Sequence, residues 1–329
     1  MKTMYEFQED DVDFEKYAEE NEASSNVLPA TAFRDAVKQS FRARRDGERV
    51  YLPWEKTRDM FEFRRGETTV WAGYNGHGKS QTTDQVKLSL ITQNQKVGAA
   101  SFEMKPVANL RRLARMHAGT NLYSDEFQGE DGLEAVDQLT DEFFDWSNNA
   151  FWIYNQTGQV NTKKVIGFVR YCARELKCQH IFIDNLAKCV QNEDDYNGQK
   201  AFIERMCAMA HDENVHIHIV HHLKKSDGGE GSKPDKSDVK GSGAITDQPD
   251  NLFLVWRNKP KEESRKAGKS DKEQEPDQVL FCRKQRNYEG NSEGEPTILL
   301  WYHRDSLQYV SSAVDGAMFF GNYPHYQSL

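Results

Sequence analysis

The sequence predicts an α/β fold in which a mostly parallel, twisted sheet carries helices on both faces. Between residues 51 and 222, apolar runs of strand length alternate with amphipathic stretches of helical length, which is typical of strand–helix–strand units. From residue 252 onward, strand-like runs follow one another with only a charged excursion between them, so we expect late antiparallel strands to complete the sheet. A glycine-rich turn at residues 73–80 separates the first predicted strand from the helix that follows it.

Each predicted element rests on its own pattern of apolar residues. Helices are predicted where apolar positions recur every three or four residues, at 31–45, 81–95, 161–177 and 201–211, after Pro106 and within 121–145. Short apolar runs bounded by turn residues predict strands at 68–72, 96–102, 151–154, 180–185, 215–220, 252–256, 278–282, 297–302 and 307–310. Residues 262–275 indicate a charged hairpin or excursion, and the lysine- and glycine-rich stretch 224–240 indicates a mobile loop.

Composition divides the chain into four parts. Residues 1–26 are acidic and are expected to be disordered, and residues 27–49 contain a linker helix. The apolar stripe of that helix, formed by Phe33, Val37 and Phe41, has to be buried on its own core or on a neighbouring subunit. Residues 50–311 form the α/β domain, and residues 312–329 form a tail that is either unstructured or a partner-binding end.

The charge distribution leaves nucleic acid open as a partner. The chain carries a net charge of −9, but residues 1–25 contain nine acidic residues and two lysines, so the remainder is close to neutral. No apolar run approaches the ~20 residues that a membrane helix needs, so no membrane partner is expected. The five cysteines form no C-x-x-C pair, which favours reduced thiols in a cytoplasmic protein over a structural zinc site.

The turn at residues 73–80 fits the phosphate-binding pattern G-x-x-x-x-G-K-[ST] at every fixed position. Its glycines let backbone N–H groups point at phosphate oxygens, its lysine adds a charge near the β- and γ-phosphates, and its serine hydroxyl binds Mg²⁺. We therefore expect ATP, or another nucleoside or deoxynucleoside triphosphate, with Mg²⁺. The residues expected to hold the nucleotide are Gly73, Asn75, Gly76, Gly78, Lys79, Ser80 and Gln81.

Three polar side chains end the predicted strands that accompany this loop. Asp184 closes a buried apolar strand, where it could complete a Mg²⁺ site with Ser80 or cap a turn. Glu103 could orient and deprotonate water near the γ-phosphate, or it could be a surface residue. His222 could contact the γ-phosphate or be a structural histidine, whereas His221 points to the opposite face of the strand.

Two further groups of cations have both a structural and a functional interpretation. Lys284 and Arg286 could be a solvated strand edge, or they could complete a neighbouring subunit's nucleotide site in trans. The loop 224–240 could be a solvated loop, or its lysines could meet the phosphates of a nucleic acid single strand. These lysines are Lys224, Lys225, Lys233, Lys236 and Lys240.

Taken in order along residues 50–311, these motifs resemble those of the DnaB/Twinkle-like family of replicative ring helicases, and most closely the helicase half of phage primase-helicases. The resemblance lies in the segments 73–80, 101–103, 181–185, 222–224, 241–244 and 284–286. It implies a RecA-like P-loop NTPase core that assembles as a homohexamer, with ATP at the subunit interfaces. The helix around Phe33 would be the one that links subunits.

The resemblance also assigns a role to each catalytic candidate. It implies that Glu103 is the catalytic base, Asp184 the acid associated with Mg²⁺ and His222 the γ-phosphate sensor. Arg286, with Lys284, would be the finger that acts in trans on the next subunit's nucleotide.

The binding residues follow from the same resemblance. Arg257 and Tyr302 lie about where the family contacts the nucleotide base. The residues implied to contact single-stranded DNA in the central channel are Lys224, Lys225, Gly241, Ser242 and Gly243.

The predicted function is therefore an ATP-dependent ring helicase that translocates on single-stranded DNA during phage or plasmid replication, in the bacterial cytoplasm if phage-encoded. About fifty residues precede the domain, so we expect no primase module and expect partners in the replisome: primase, polymerase or single-strand-binding protein. A plasmid RepA-type ring shares the His-His sequence and the following Gly-Ser-containing segment, so the subfamily stays open. The alternative function is a RecA-like, DNA-dependent ATPase that acts as a recombination mediator or loader without unwinding.

Overall fold

A computed structural model describes residues 6–7, 29–45, 49–190, 194–224, 231–287 and 295–321. The α-helices are α1 (Arg34–Arg45), α2 (Lys79–Thr92), α3 (Pro106–Ala118), α4 (Gly129–Ser147), α5 (Thr162–Arg174), α6 (Tyr196–Asp212), α7 (Ala244–Asp247) and α8 (Lys259–Lys266). The strands are β1 (Glu6–Phe7), β2 (Val50–Tyr51), β3 (Glu62–Phe63), β4 (Thr68–Gly73), β5 (Val97–Ser101), β6 (Phe151–Tyr154), β7 (His180–Asp184), β8 (His216–His222), β9 (Asn251–Arg257), β10 (Gln278–Gln285), β11 (Thr297–His303) and β12 (Gln308–Val310). Within the described ranges, no helix combines the length and the apolar character needed to cross a membrane.

Ten of these strands form one sheet in the order β1-β6-β5-β7-β8-β4-β9-β10-β11-β12. Neighbouring strands from β1 to β9 are parallel, and β10, β11 and β12 are each antiparallel to the strand before them. The predicted α/β fold, with its parallel sheet and late antiparallel strands, is confirmed. Because β5, β7, β8 and β4 are parallel neighbours, their carboxyl ends lie together at one end of the sheet. Open parallel sheets bind ligands at this end, which is here called the phosphate edge.

Helices cover both faces of the sheet, as predicted. On one face, α5 and α6 pack through side chains such as Phe168 and Met206 against the apolar residues of the central strands. On the other face, α2, α3 and α4 pack with Leu90, Leu113 and Phe143 against the opposite side of the same strands. The two cores hold β4 rigidly, because every residue of this strand is buried.

Several elements differ from the sequence prediction. Strand β10 continues to Gln285 through a bulge at Cys282–Lys284, so Lys284 lies inside the strand instead of after it. The charged excursion begins as helix α8, which Asn258 caps by accepting a hydrogen bond from the backbone N–H of Lys261. The described part of the glycine-rich loop contains a 3-10 turn at Lys236–Asp238 that a capping box closes.

The N-terminal parts of the chain are described only in part. Glu6–Phe7 form the edge strand β1 and pair with β6, which the acidic composition of residues 1–26 does not predict; the other residues of that segment lie outside the described ranges. Helix α1 forms as predicted, and the exposed fractions of Phe33, Val37 and Phe41 are 51%, 49% and 66%. The stripe is therefore not buried on the protomer's own core.

Three histidines are buried together at the amino-terminal ends of β7 and β8. His180 Nδ1 lies 3.1 Å from His218 Nε2, and the rings of His216 and His218 have centroids 4.5 Å apart. His216 Nδ1 donates to the carbonyl of Arg64, and its Nε2 accepts from the hydroxyl of Thr69. Burial lowers the pKa of His216 to about 4 and holds the pKa values of His180 and His218 well below 6.5.

This cluster predicts a loss of stability on acidification. Below pH ~6.5 the unfolded chain binds protons at these histidines while the folded chain does not, so the free energy of unfolding falls as the pH drops. For His216 the loss approaches ~3 kcal/mol at pH 4. The free energy of unfolding, measured with urea between pH 7 and pH 4, should depend less on pH for His216→Gln than for the wild type. His211→Gln, at an exposed histidine, should retain the wild-type dependence, and equal slopes for all three proteins would contradict this account.

Candidate active site

The turn after β4 adopts the backbone that its glycines allow. Gly76 and Gly78 have φ angles of 73° and 82°, in the left-handed region that side chains disfavour. Gly73 is required for a different reason, because a Cβ there would lie 2.7 Å from the carbonyl oxygen of Val255. The turn then leads into α2, whose amino terminus leaves backbone N–H groups available for an anion.

Lys79 is buried beneath this turn. Its Nζ donates to the carbonyls of Gly73 and Tyr74 at 2.8 Å and 3.0 Å. Burial lowers the pKa of Lys79 to about 8, although the carboxylates of Asp184 and Glu103 oppose this shift. An ammonium group that is poorly solvated and points along a phosphate-binding turn is suited to binding an anionic ligand.

Ser80 and Asp184 meet at the carboxyl end of β7. The Ser80 hydroxyl donates to Asp184 Oδ2 at 2.6 Å, and burial raises the pKa of the Asp184 carboxyl. Among the described residues, no group of three or more His, Cys, Asp or Glu side chains could hold a metal ion by itself. Mg²⁺ needs no such group, since it binds through one or two protein oxygens together with substrate phosphates. The hydroxyl and the carboxylate therefore fit Mg²⁺.

Glu103, Asn185 and His222 form a hydrogen-bonded group beside the turn. The Asn185 side-chain amide donates to Glu103 Oε1 at 2.6 Å, and its nitrogen lies 2.7 Å from His222 Nε2. His222 Nε2 lies 3.7 Å from Glu103 Oε1. The charged form of His222, which lies beside the carboxylate, and the hydrogen bond from Asn185 hold the pKa of Glu103 below its ordinary value despite partial burial. A carboxylate that stays ionised can act as a general base.

Two atoms of this group are buried without a partner in the described part of the chain: Asn185 Oδ1 and His222 Nδ1. Because His222 Nε2 accepts from the Asn185 amide, a neutral ring carries its proton on Nδ1, which is then an unused donor. Buried polar groups without partners are costly, and they are common where a ligand completes the hydrogen bonding. Sequence reasoning assigns no role to Asn185; its position directly after Asp184 is the only signal for it.

One cleft of about 870 Å³ contains most of the residues that the sequence singles out. His221 also lines it, but its Nε2 donates to the carbonyl of Lys240, which agrees with a structural role. The predicted residues that line the cleft are Asn75, Gly76, Gly78, Lys79, Ser80, Gln81, Glu103, Asp184, His222, Lys224 and Arg257.

A second cleft of about 430 Å³ adjoins the first, and Gln81 and Arg257 line both. Tyr302 lines only the second cleft. Arg257 is held in place by an ion pair with Glu262 and by a 3.4 Å hydrogen bond from its guanidinium to the carbonyl of Gly76. The second cleft thus has an aromatic ring and a guanidinium next to the phosphate loop, and these groups suit a nucleotide base.

Lys284 and Arg286 lie at the opposite edge of the sheet, beside the amino-terminal ends of the parallel strands β4 and β9. Gln285 pairs with Asn251, and Asn251 pairs with Thr69 near the start of β4, whereas the phosphate loop follows the end of β4. The separation along the strand is therefore on the order of 13 Å before the loop itself begins. These cations do not contribute to the cleft of their own subunit.

The candidate DNA-contacting residues that the structure describes follow the end of β8. Lys224 lines the phosphate-side cleft, and Lys225 lies outside the described residues. Gly241–Gly243 follow Lys240, whose backbone N–H donates to the carbonyl of His222, and they lead directly into α7. One further lysine of the loop, Lys236, is paired with Asp247 at 3.3 Å.

The sheet, the phosphate loop and the acid at the end of β7 define a nucleoside-triphosphatase domain of the P-loop class. The chain belongs to the family described as DnaB-like helicase C terminal domain, which residues 58–303 match.

Individual relatives agree with this assignment. The chain is 24% identical over 248 residues to the DNA helicase/primase of Enterobacteria phage T3; the match covers 70% of this chain and 43% of that protein. The chain thus spans less than half the length of this curated relative. A solved ATPase domain shares the fold with a TM-score of 0.66 at 16% identity, covering 88% of this chain and 99% of the other. A DnaB-like replicative helicase, whose structure was described with its primase interactions, shares it with a TM-score of 0.67 at 16% identity, covering 87% and 67%.

Proposed function

We propose that the protein is an ATP-dependent, ring-shaped DNA helicase that translocates on single-stranded DNA during phage or plasmid replication. The family assignment supports hydrolysis of a nucleoside triphosphate, and the phage relative is a DNA helicase/primase. One observation carries the ring architecture: the cations Lys284 and Arg286 lie at the sheet edge opposite the phosphate loop. They can reach a nucleotide only if that nucleotide is bound by another subunit.

In each site, one subunit binds the nucleotide and Mg²⁺ and activates the water, and the adjacent subunit supplies two further cations. The turn and Lys79 bind the phosphates, and Ser80 with Asp184 hold Mg²⁺, which when bound neutralises phosphate charge. Glu103, kept ionised by its neighbours, orients and deprotonates the attacking water. His222 donates its free Nδ1–H to the γ-phosphate. Arg286 of the adjacent subunit, with Lys284, stabilises the charge that develops in the transition state.

Assembly and DNA binding involve further residues, of which Lys224 also lines the cleft. Helix α1 exposes an apolar stripe and carries five basic residues against one acidic residue, which suits docking on a neighbouring acidic subunit in a homohexamer. The DNA backbone in the central channel is bound by Lys224, Lys225 and Gly241–Gly243 in this proposal. Its replisome partners in the bacterial cytoplasm include a primase, a polymerase or a single-strand-binding protein.

Replacing Lys79 with alanine tests the nucleotide site. We expect DNA-stimulated ATP hydrolysis to fall at least ~100-fold, because the phosphates lose a buried cation. Thermal stability should not fall, since burial already disfavours the charged form of Lys79. The ATPase rate and the melting temperature should be compared with those of Lys163→Ala, a lysine exposed on α5. An active Lys79→Ala protein would contradict the assignment of the loop.

A forked-duplex assay separates the helicase from a mediator or loader. A helicase separates the strands of the fork when ATP is present. Hydrolysis that single-stranded DNA stimulates, but without strand separation, would instead favour a RecA-like mediator.

A further inference from the structure

The segment Lys240–Gln248, here called the connecting segment, joins the two edges of the sheet. It begins beside His222 at the phosphate edge, because the Lys240 N–H donates to the His222 carbonyl at 3.1 Å. It ends just before β9, at the edge where Arg286 lies. The connecting segment therefore contacts the strand that carries His222, the candidate phosphate sensor, and it also contacts Arg286, the candidate finger.

The connecting segment is fixed to the body of the domain near its beginning. The backbone N–H of Ser242 donates to Gln199 Oε1 on α6 at 3.0 Å. The approach is so close that a Cβ on Gly241 would lie 2.1 Å from the same oxygen. A shift of Gly241 or Ser242 must therefore displace Gln199 or move the rest of the segment.

At its end, the connecting segment holds both finger cations. Lys284 Nζ donates to the carbonyls of Thr246 and Asp247 at 3.2 Å and 2.6 Å. The guanidinium of Arg286 donates to the carbonyls of Asp247 and Gln248, each at 3.2 Å. Carbonyls at the end of a helix lack partners within the helix and carry partial negative charge, which suits them to bind cations.

Asp250 adds a carboxylate that pairs directly with Arg286. Its Oδ1 lies 3.3 Å from Arg286 Nη1, and its backbone carbonyl accepts from the Arg286 N–H at 2.9 Å. Its Oδ2 accepts from the backbone N–H of Thr68 at 2.9 Å, which fixes the carboxylate to the start of β4. Asp250 is thus a positioning residue for the Arg286 side chain.

We infer that the connecting segment couples adjacent sites of the ring: movement at Gly241–Gly243, caused by DNA or by the nucleotide below His222, shifts α7 and with it the Lys284 and Arg286 side chains that serve the next subunit. The inference rests on the proposed function, since it takes Gly241–Gly243 as DNA contacts and Arg286 as the finger. It adds Asp250 and Gln199 as the residues that hold the two ends of the connection.

The coupling is measured as the ratio of ATPase rates of the assembled full-length protein with and without a single-stranded oligothymidylate. Asp250→Asn removes the charge that holds Arg286 but keeps an oxygen for the Thr68 N–H, and Gln199→Ala releases the other end. We expect each variant to lower the ratio about fivefold or more. The KM for ATP should be unchanged in Asp250→Asn, because Asp250 does not line the cleft, whereas Gln199 does. The double variant should lower it by less than the product of the two single effects, because both act on one connection.

Asp212→Asn is the control. It removes an exposed carboxylate from the end of α6, where it lies beside His211 and away from the finger cations, so the ratio should stay at the wild-type value. Wild-type ratios in both Asp250→Asn and Gln199→Ala would overturn the inference. If Arg286→Ala also hydrolysed ATP normally, the proposed function itself would be contradicted. If Arg286→Ala were inactive while Asp250→Asn and Gln199→Ala kept the wild-type ratio, only the coupling would be contradicted.

Discussion

Replacing Glu103 with glutamine is expected to lower the rate of DNA-stimulated ATP hydrolysis by about 10²–10⁴-fold while nucleotide binding is retained. The amide keeps the size of the side chain and can still meet the Asn185 side chain, but it cannot accept a proton from water. The effect should appear in kcat, with little change in the dissociation constant for an ATP analogue measured by fluorescence titration.

The pH profile adds a second criterion for Glu103. His222 and Asn185 hold the pKa of the carboxyl below its ordinary value, so loss of the base by protonation should begin only below the ordinary pKa of a glutamate. Glu204→Gln, at an exposed glutamate on α6, serves as the control and should keep both the rate and the profile. A Glu103→Gln protein with wild-type kcat would show that another group is the base.

Replacing Arg286 with alanine is expected to lower kcat about 10³–10⁵-fold in assembled rings, the range for loss of a trans-acting arginine. Nucleotide binding should remain, because Arg286 lies at the sheet edge opposite its own subunit's phosphate loop. Arg283→Ala removes a cation from β10, the strand that leads to Arg286; Arg283 pairs with Glu295, and the variant should retain activity.

Mixing two inactive variants tests whether Arg286 acts in trans. A ring formed from Lys79→Ala and Arg286→Ala subunits contains some interfaces with an intact loop on one side and an intact finger on the other. The mixture should therefore hydrolyse ATP faster than either variant alone. A mixture whose rate equals the average of the two separate rates would contradict the shared site.

The sequence predicts the fold well where a single periodicity governs an element. β4 and β7 are continuous apolar runs because both faces of a central parallel strand are buried, and both are predicted nearly to their ends. Helix α2 is different, since it is buried on almost all sides and includes Asp84 among its buried residues. Asp84 is paired there with Lys87 of the same helix and with Arg112 of α3, and no local pattern reveals the pairing with Arg112.

The site is predictable to the extent that its residues lie at strand ends. Lys79, Ser80, Glu103, Asp184 and His222 share one cleft because the carboxyl ends of β4, β5, β7 and β8 meet at one edge. The link between Glu103 and His222 through Asn185 is not predictable in this way, because it depends on side-chain distances across three strands.

The position of Arg286 depends on registers that the sequence does not specify. A bulge at Cys282–Lys284 extends β10 and places Arg286 beside Asp250, whereas the apolar run by itself ends the strand at Cys282. The contact between the finger cations and the carbonyls of α7 cannot be read from residue types either, because backbone carbonyls carry no sequence signature.

The central claim is that each nucleotide site consists of a phosphate loop from one subunit and a finger from the next. Electron microscopy of the protein assembled with an ATP analogue and single-stranded DNA tests it most directly. We predict a closed ring with Arg286 of one subunit within hydrogen-bonding distance, about 3 Å, of the γ-phosphate held by residues 73–80 of its neighbour. A nucleotide bound entirely by one subunit, with Arg286 remote from every phosphate, would contradict the account.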